Sequence, residues 1–248
     1  MRSRIIRSLL SLLCPETCAA CGEVVDGDVG FVCEKCRERI AWVERPFDAD
    51  NAANKRLYLT IHRTTREEEG TTAQEGRETL AVAFAHYIDK GLTYNIVHAF
   101  KYGHRPNVAV EAGRMMGWRM KEEGRFVRDI DCLVPIPLHG RRRAKRGYNQ
   151  AELLARGIGE VTGLPVESGV LERRVNNVSQ TRQSAYGRQS NAEGIFKVRF
   201  PNALEGKTVL LVDDVLTTGS TLGDACRTLG LIEDVRVKVA TFAVAGGY

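Results

Sequence analysis

Val209-Leu210-Leu211-Val212-Asp213-Asp214-Val215-Leu216-Thr217-Thr218-Gly219-Ser220-Thr221 is the stretch on which the rest of the chain turns. Four consecutive apolar residues predict a strand covered on both faces, as in a parallel sheet. The run stops at two adjacent carboxylates, Asp213 and Asp214, which then lie beyond the carboxyl end of a buried strand, where open α/β sheets take their ligands. Thr217 to Thr221 open a helix. Small hydroxyl residues around Gly219 let backbone N–H groups converge on an anion, and the helix N-terminus adds its positive end. The hydroxyls of Thr217, Thr218, Ser220 and Thr221 can donate to phosphate oxygens. A Thr or Ser here could also serve as a plain helix cap beside a surface turn; the buried strand and paired acids favour the anion site. The lysine of a Walker loop is missing. The pattern describes a cradle for a phosphorylated ribose.

Working outward, apolar strands are expected at Asp131–Pro135, Val170–Arg174, Ile195–Phe200, Thr208–Val212 and Val235–Val244. Helices are expected at Thr79–Lys90, Asn95–Phe100, Val108–Glu123, Asn149–Gly159 and Thr221–Leu229. In the fourth of these, Ala151, Leu154, Ala155 and Ile158 recur at helical spacing. Glycine and proline in Lys101–Pro106 break the second from the third. Strands alternating with helices from about residue 80 predict an α/β fold built on a mostly parallel, covered sheet. The polar stretch Asn176–Asn191 reads as a long loop, and such loops inside compact domains are more often functional than idle.

Val134-Pro135-Ile136-Pro137-Leu138 leads into Arg141-Arg142-Arg143-Ala144-Lys145-Arg146-Gly147-Tyr148-Asn149-Gln150. Five cations in six residues at a strand-to-helix turn repel one another unless a multivalent anion meets them, and arginine suits bidentate phosphate contact. A solvated basic turn, or one that holds nucleic acid without specificity, is the plainer alternative.

The chain has 248 residues, a net charge of +5 and seven cysteines. Five of the cysteines fall within Cys14–Cys36. Cys18-x2-Cys21 and Cys33-x2-Cys36 can each place two thiolates on one metal, and four thiolates with no open position describe a structural zinc site. Cys14 is spare, or displaces Cys18 as a ligand. Cys132 and Cys226 fall on apolar positions and read as packing residues. The opening residues 1–13 form a basic amphipathic pattern with Ile5, Ile6, Leu9, Leu10, Leu12 and Leu13 on one side. Arg7 and the bulky Leu13 argue against a cleaved leader. No apolar run has the length of a transmembrane segment. Thr64–Glu78 is polar and glycine-broken, and reads as a link or loop.

Two of these stretches resemble known families. VLLVDDVLTTGST resembles the motif with which type I phosphoribosyltransferases bind phosphoribosyl pyrophosphate (PRPP). PIPLHGRRRAKRGYNQAELLA resembles the pattern of the ComF family, as do Phe100-Lys101-Tyr102, Ser179-Gln180-Thr181, Arg188-x-x-Asn191, Phe196 and the four-cysteine module. The resemblance implies a sheet of the type I phosphoribosyltransferase kind with a small N-terminal zinc module. The division would be 1–45 for the helix and zinc module, 46–80 for a linker or hood-like segment, and 81–248 for the phosphoribosyltransferase-like domain. It implies that Asp213 and Asp214 meet the ribose hydroxyls and that Thr217, Thr218, Gly219, Ser220 and Thr221 hold the 5′-phosphate. Leu138, Arg143 and Arg146 would belong to the pyrophosphate loop, with Arg188 reaching the pyrophosphate from a mobile segment. Mg²⁺ would be bound chiefly by PRPP oxygens and water. ComF proteins are associated with natural competence, so the resemblance also implies a cytoplasmic role in DNA uptake, with single-stranded DNA and a competence helicase as partners. An active phosphoribosyltransferase of nucleotide metabolism, with Asp213, Asp214 and Arg188 at the reacting centre and an unidentified acceptor, is the alternative.

Overall fold

The computed structural model describes residues 16–25, 30–62, 81–174 and 194–246. Its centre is a four-stranded parallel sheet in the order β1-β6-β5-β2, comprising β1 Ala81–Tyr87, β2 Cys132–Pro135, β5 Thr208–Leu216 and β6 Arg236–Ala245. A two-stranded antiparallel ribbon pairs β3 Leu171–Arg173 with β4 Phe196–Val198. The expected α/β class and parallel sheet are therefore present.

Successive strand residues point to opposite faces, and the core divides accordingly. Val82, Phe84, Leu133, Leu210, Val212, Ala240 and Phe242 pack with helices α3 (Leu92–Tyr102), α4 (Pro106–Glu123) and α7 (Gln150–Thr162). Ala81, Ala83, Val134, Val209, Leu211 and Val239 face α2 (Ala52–His62) and α8 (Ser220–Leu229) instead. Glycine brings α4 and α7 into backbone contact. A Cβ on Gly113 would stand 2.2 Å from the Leu154 carbonyl oxygen, and one on Gly157 would stand 2.1 Å from that of Val110.

Three expectations are corrected. The helix expected at Thr79–Lys90 is absent from its described part: Ala81–Tyr87 is strand β1, hydrogen-bonded in register to β6. An apolar run of this length fits either element by periodicity, and burial on both faces decides for the strand. Strand β5 does not stop at Val212. Its pairing to β6 continues through Asp213↔Thr241 to Leu216↔Val244, so both acids stand within the last residues of the strand. The basic turn is itself helical, α6 (Gly140–Arg146), with the His139 ring nitrogen accepting from the Arg141 N–H at 3.3 Å. Two short helices, α1 (Glu34–Arg39) and α5 (Arg125–Arg128), complete the set. Residues 1–13, Cys14 and the stretches 64–78 and 176–191 contain positions outside the described residues.

The cysteine segment is built onto the sheet. Cys18, Ala19, Ala20, Val32, Cys36 and Ile40 share the first core with Phe84 and Phe242. Asn95 donates to the Ala20 carbonyl at 2.7 Å, and Arg105 to that of Thr17 at 2.5 Å. The following residues strap the free edge of β1, with Val43 N–H donating to Phe84 O and His86 N–H to Ala41 O.

Candidate functional site

The two acids of β5 meet different surroundings. The Asp214 carboxylate lies 2.7 Å from the Lys101 ammonium, and only 13% and 21% of the two side chains are exposed. Asp213 accepts the Asp214 N–H at 2.9 Å. Burial, and then the neighbouring Asp214 charge, push the Asp213 carboxyl up to about 7 against the pull of Asp214 N–H, Lys101 and Arg173. Lys101 closes α3 and was visible only as part of a matching tripeptide. A signal for its role did exist: Val97 and Phe100 are buried on α3, and a lysine one turn after Val97 stands beside that covered face, where a charge needs a partner. Arg173 carried no comparable signal, since three strand residues show no period.

The loop after β5 turns on Gly219, which adopts φ +86° and heads α8. Thr218 Oγ1 lies 3.0 Å from Ser220 Oγ. Helix α2, unforeseen within the mixed stretch 46–80, fixes this loop from behind. Arg56 donates to the carbonyls of Thr217 (2.8 Å), Gly246 (2.9 Å) and Ala245, and Thr60 Oγ1 lies 2.9 Å from the Thr218 carbonyl oxygen. A trans peptide points its N–H opposite to its C=O. With the Thr217 and Thr218 carbonyls held toward α2, the N–H groups of Thr218 and Gly219 are turned away from it, to the side on which Thr217 and Thr218 are exposed. Consecutive N–H groups displayed in this way form an anion-binding nest. A side chain at 219 would be strained by the φ of +86°, and its Cβ would stand 2.7 Å from Thr60 Oγ1, forcing that hydroxyl to move.

Helix α6 joins the same region through α3. The Arg146 guanidinium stacks 4.8 Å from the Tyr102 ring centre, beside Lys101. The Tyr148 hydroxyl donates to the Phe100 carbonyl at 2.9 Å, and Asn149 ties the turn down by donating to Ile136 O and capping α7. Leu138 is half-buried between β2 and α6, whereas Arg141, Arg142, Arg143 and Lys145 are exposed. Asp213, Asp214 and Lys101 thus stand together near the end of β5, the Thr217–Thr221 loop follows them directly in the chain, and Arg146 of α6 is tied to Tyr102, the neighbour of Lys101. Arg143 is exposed on α6, and Arg188 lies outside the described residues.

The Sγ atoms of Cys18, Cys21, Cys33 and Cys36 all lie within 4.8 Å of one another, close enough to share one metal ion. Gly22 follows the first pair at φ +79°. The N–H groups of Ala20 and Cys33 point at Cys18 Sγ at 3.4 and 3.3 Å. Burial pushes that thiol up, but the backbone hydrogen bonds outweigh it and hold it down to about 6, while burial and the neighbouring thiols push Cys36 up.

Comparison with known proteins adds three relatives. DNA utilization protein YhgH of Salmonella typhimurium is 29% identical over 54% of this chain and 59% of its own length. Competence protein F of Haemophilus influenzae is 34% identical over 43% of this chain and 48% of its own. Competence protein ComFC of Bacillus subtilis is 39% identical over 39% and 37%. The chain thus spans about half the length of the curated relatives it matches. The family model for the phosphoribosyl transferase domain matches residues 100–246, a span running from the start of the Lys101 tripeptide through α6 and the acid-bearing strand β5 into the end of β6. On that match the chain belongs to the phosphoribosyl transferase domain family, and its relatives include ComF-type competence proteins.

Proposed function

We propose that this chain binds PRPP with Mg²⁺ and serves DNA uptake in natural transformation. The observation that carries the PRPP reading is the continuity of β5 and α8. Two carboxylates stand near the end of a buried strand, and a loop with oriented N–H groups follows within five residues. In this reading Asp213 and Asp214 accept from the ribose hydroxyls, and Thr217 to Thr221 hold the 5′-phosphate. Leu138, Arg143 and Arg146 border the pyrophosphate, with Arg188 approaching it. Mg²⁺ favours oxygen ligands and keeps much of its water, which suits carboxylates beside a pyrophosphate. Zn²⁺ suits the four thiolates: Zn–S bonds of about 2.3 Å in a tetrahedron separate the sulfurs by about 3.8 Å, and Cys21 and Cys33 stand 3.9 Å apart. The division into 1–45, 46–80 and 81–248 is retained as part of this proposal. The DNA-uptake role rests on the names of the relatives; in this reading the chain acts in the cytoplasm with single-stranded DNA and a competence helicase. Titration calorimetry of the full chain with PRPP and Mg²⁺ tests the site. Binding is expected, and it disappears in Asp213→Asn/Asp214→Asn; no heat from the parent chain, or equal binding by the double variant, refutes it.

A second reading, transfer of the phosphoribosyl group to an acceptor, is favoured by Asp213. A carboxyl near 7 can exchange a proton at neutral pH. Pyrophosphate release that requires an added nucleophile would establish it, and none across purine and pyrimidine acceptors would remove it.

A further inference from the structure

Helix α3 carries a ladder of rings on its outer side. Tyr94, His98 and Tyr102 recur every four residues, which stacks them on one face. Tyr94 and His98 lie 5.7 Å apart and nearly parallel, and His98 and Tyr102 lie 4.8 Å apart. Tyr87 of β1 extends the row inward, 6.0 Å from Tyr94. At the other end Arg146 stacks on Tyr102 and passes the row to α6. This is an exposed face: Tyr102 is 57% exposed, and His98 is exposed with it.

The charge of this face is basic toward its α6 end, while Asp89 and Asp214 lie near Tyr87 at the other end. From Lys90 to Val110 the sequence has no Asp or Glu, and none occurs again from Cys132 to Ala151. Arg141, Arg142, Arg143 and Lys145 are exposed on a helix with no acid in its first turn, and Arg146 is half-buried against Tyr102. A ladder of rings beside exposed cations complements a polymer that alternates flat bases with phosphates. Only a single strand offers open base faces, and stacking holds bases without regard to sequence.

We infer that Tyr94, His98 and Tyr102, with Arg146 and the α6 cations, form a surface on which single-stranded DNA stacks its bases. The inference deepens the DNA-handling half of the proposed function and rests on it for the identity of the strand. Helix α3 then has two working sides. Lys101 turns inward to Asp214, and the ring beside it turns out to the strand.

Fluorescence anisotropy of the full chain, without PRPP, tests it with labelled oligo(dT) and an abasic strand of equal length and charge. The parent chain holds oligo(dT) more tightly than the abasic strand. His98→Leu and Tyr102→Leu each weaken oligo(dT) by about tenfold, the scale of one lost stack. Hold on the abasic strand and the salt slope stay unchanged, because no cation has been removed. Tyr102→Phe keeps the ring and keeps the binding, which separates stacking from loss of fold. Equal hold on the two strands by the parent chain, or unaltered oligo(dT) binding in both leucine variants, overturns the ladder. If the parent chain binds neither strand, the DNA half of the proposed function falls with it, while PRPP calorimetry remains an independent measure of the other half.

Discussion

Asp213→Asn is expected to stabilise the protein while destroying its ligand site. The side chain is nearly isosteric, and its carbonyl oxygen can still accept the Asp214 N–H that Asp213 Oδ1 now accepts at 2.9 Å. What is removed is a carboxyl raised from 3.8 to about 7 by burial and by the Asp214 charge. A group with a raised folded-state value helps the fold below its unfolded value and loses that contribution as pH climbs to the folded one. The parent chain therefore sheds stability between about pH 4 and pH 7 from this residue, reaching about 4 kcal/mol at a shift of this size. Asn carries no such loss. Repulsion from Asp214 is part of the shift and part of it relaxes on unfolding, so about 2–4 kcal/mol is expected at pH 8 and under about 1 kcal/mol at pH 4.5. For a chain of this length that is on the order of 5–10 °C in melting temperature. Thermal unfolding by circular dichroism at both pH values measures it, with PRPP calorimetry alongside. A melting difference equal at the two pH values, or no gain at pH 8, would show that Asp213 is not held in an unfavourable charged state.

Lys101→Met removes a cation that draws the Asp213 value down and pairs with Asp214. PRPP binding should weaken, and its pH profile should move to the alkaline side; calorimetry from pH 6 to 9 reads both, and an unmoved profile counts against the pairing. Arg56→Met frees three carbonyls, two of them directly behind the loop or the end of β6. A loss of about 2–3 kcal/mol is expected from charge-assisted bonds of this kind, with PRPP affinity falling at least about tenfold as the loop N–H groups lose their orientation. Thr60→Val should act on the same loop more weakly. Cys36→Ser, or prolonged chelation, should lower zinc content from about one equivalent. Because Cys18 and Cys36 pack with Phe84 and Phe242, the whole protein should then melt earlier in a single transition. A separate early transition with the main one unmoved would mean that the cysteine segment is not part of the common core.

Much of this arrangement was legible in the sequence, and the reasons it was or was not are local. Strand β5 announced itself because four apolar residues followed by acids have few other readings, and the loop after it because small hydroxyl residues around a glycine suit an anion. The four cysteines were legible because paired spacing restricts what they can do. Strand β1 was misread because Ala-Val-Ala-Phe-Ala suits a buried helix as well as a buried strand, and only pairing to β6 decides. Helix α2 was hidden in a polar, mixed stretch whose register is set by tertiary contacts: Asn51 donating to Ala81 O, Arg56 to the β6 end and Thr60 to the loop. Such contacts have sequence separations of up to 190 residues, and no window along the chain contains them. Lys101 fell between these cases, its position beside a covered helix face visible and its partner not.

The charges of the site argue for the kind of ligand it holds. Asp213 and Asp214 adjoin one another with one cation, Lys101, in direct contact, so one carboxyl remains held in an environment that resists its ionisation. On the other side α6 displays exposed cations of a single sign, with Arg146 steadied by a ring rather than by an acid. Each group is unfavourable alone, as strained features at functional sites often are. Asp214 is already taken by Lys101, and α6 is held to α3 through Tyr102 and Tyr148. A nucleoside monophosphate would satisfy the loop at Gly219 and bring hydroxyls to the acids, but would leave α6 unopposed. A ribose carrying a 5′-phosphate at one end and a metal-bound pyrophosphate at the other relieves both, with hydroxyls and Mg²⁺ for the carboxylates and pyrophosphate oxygens for the arginines. The pairing of excess negative and excess positive charge across one loop is thus itself a reason to favour PRPP over simpler ribose phosphates.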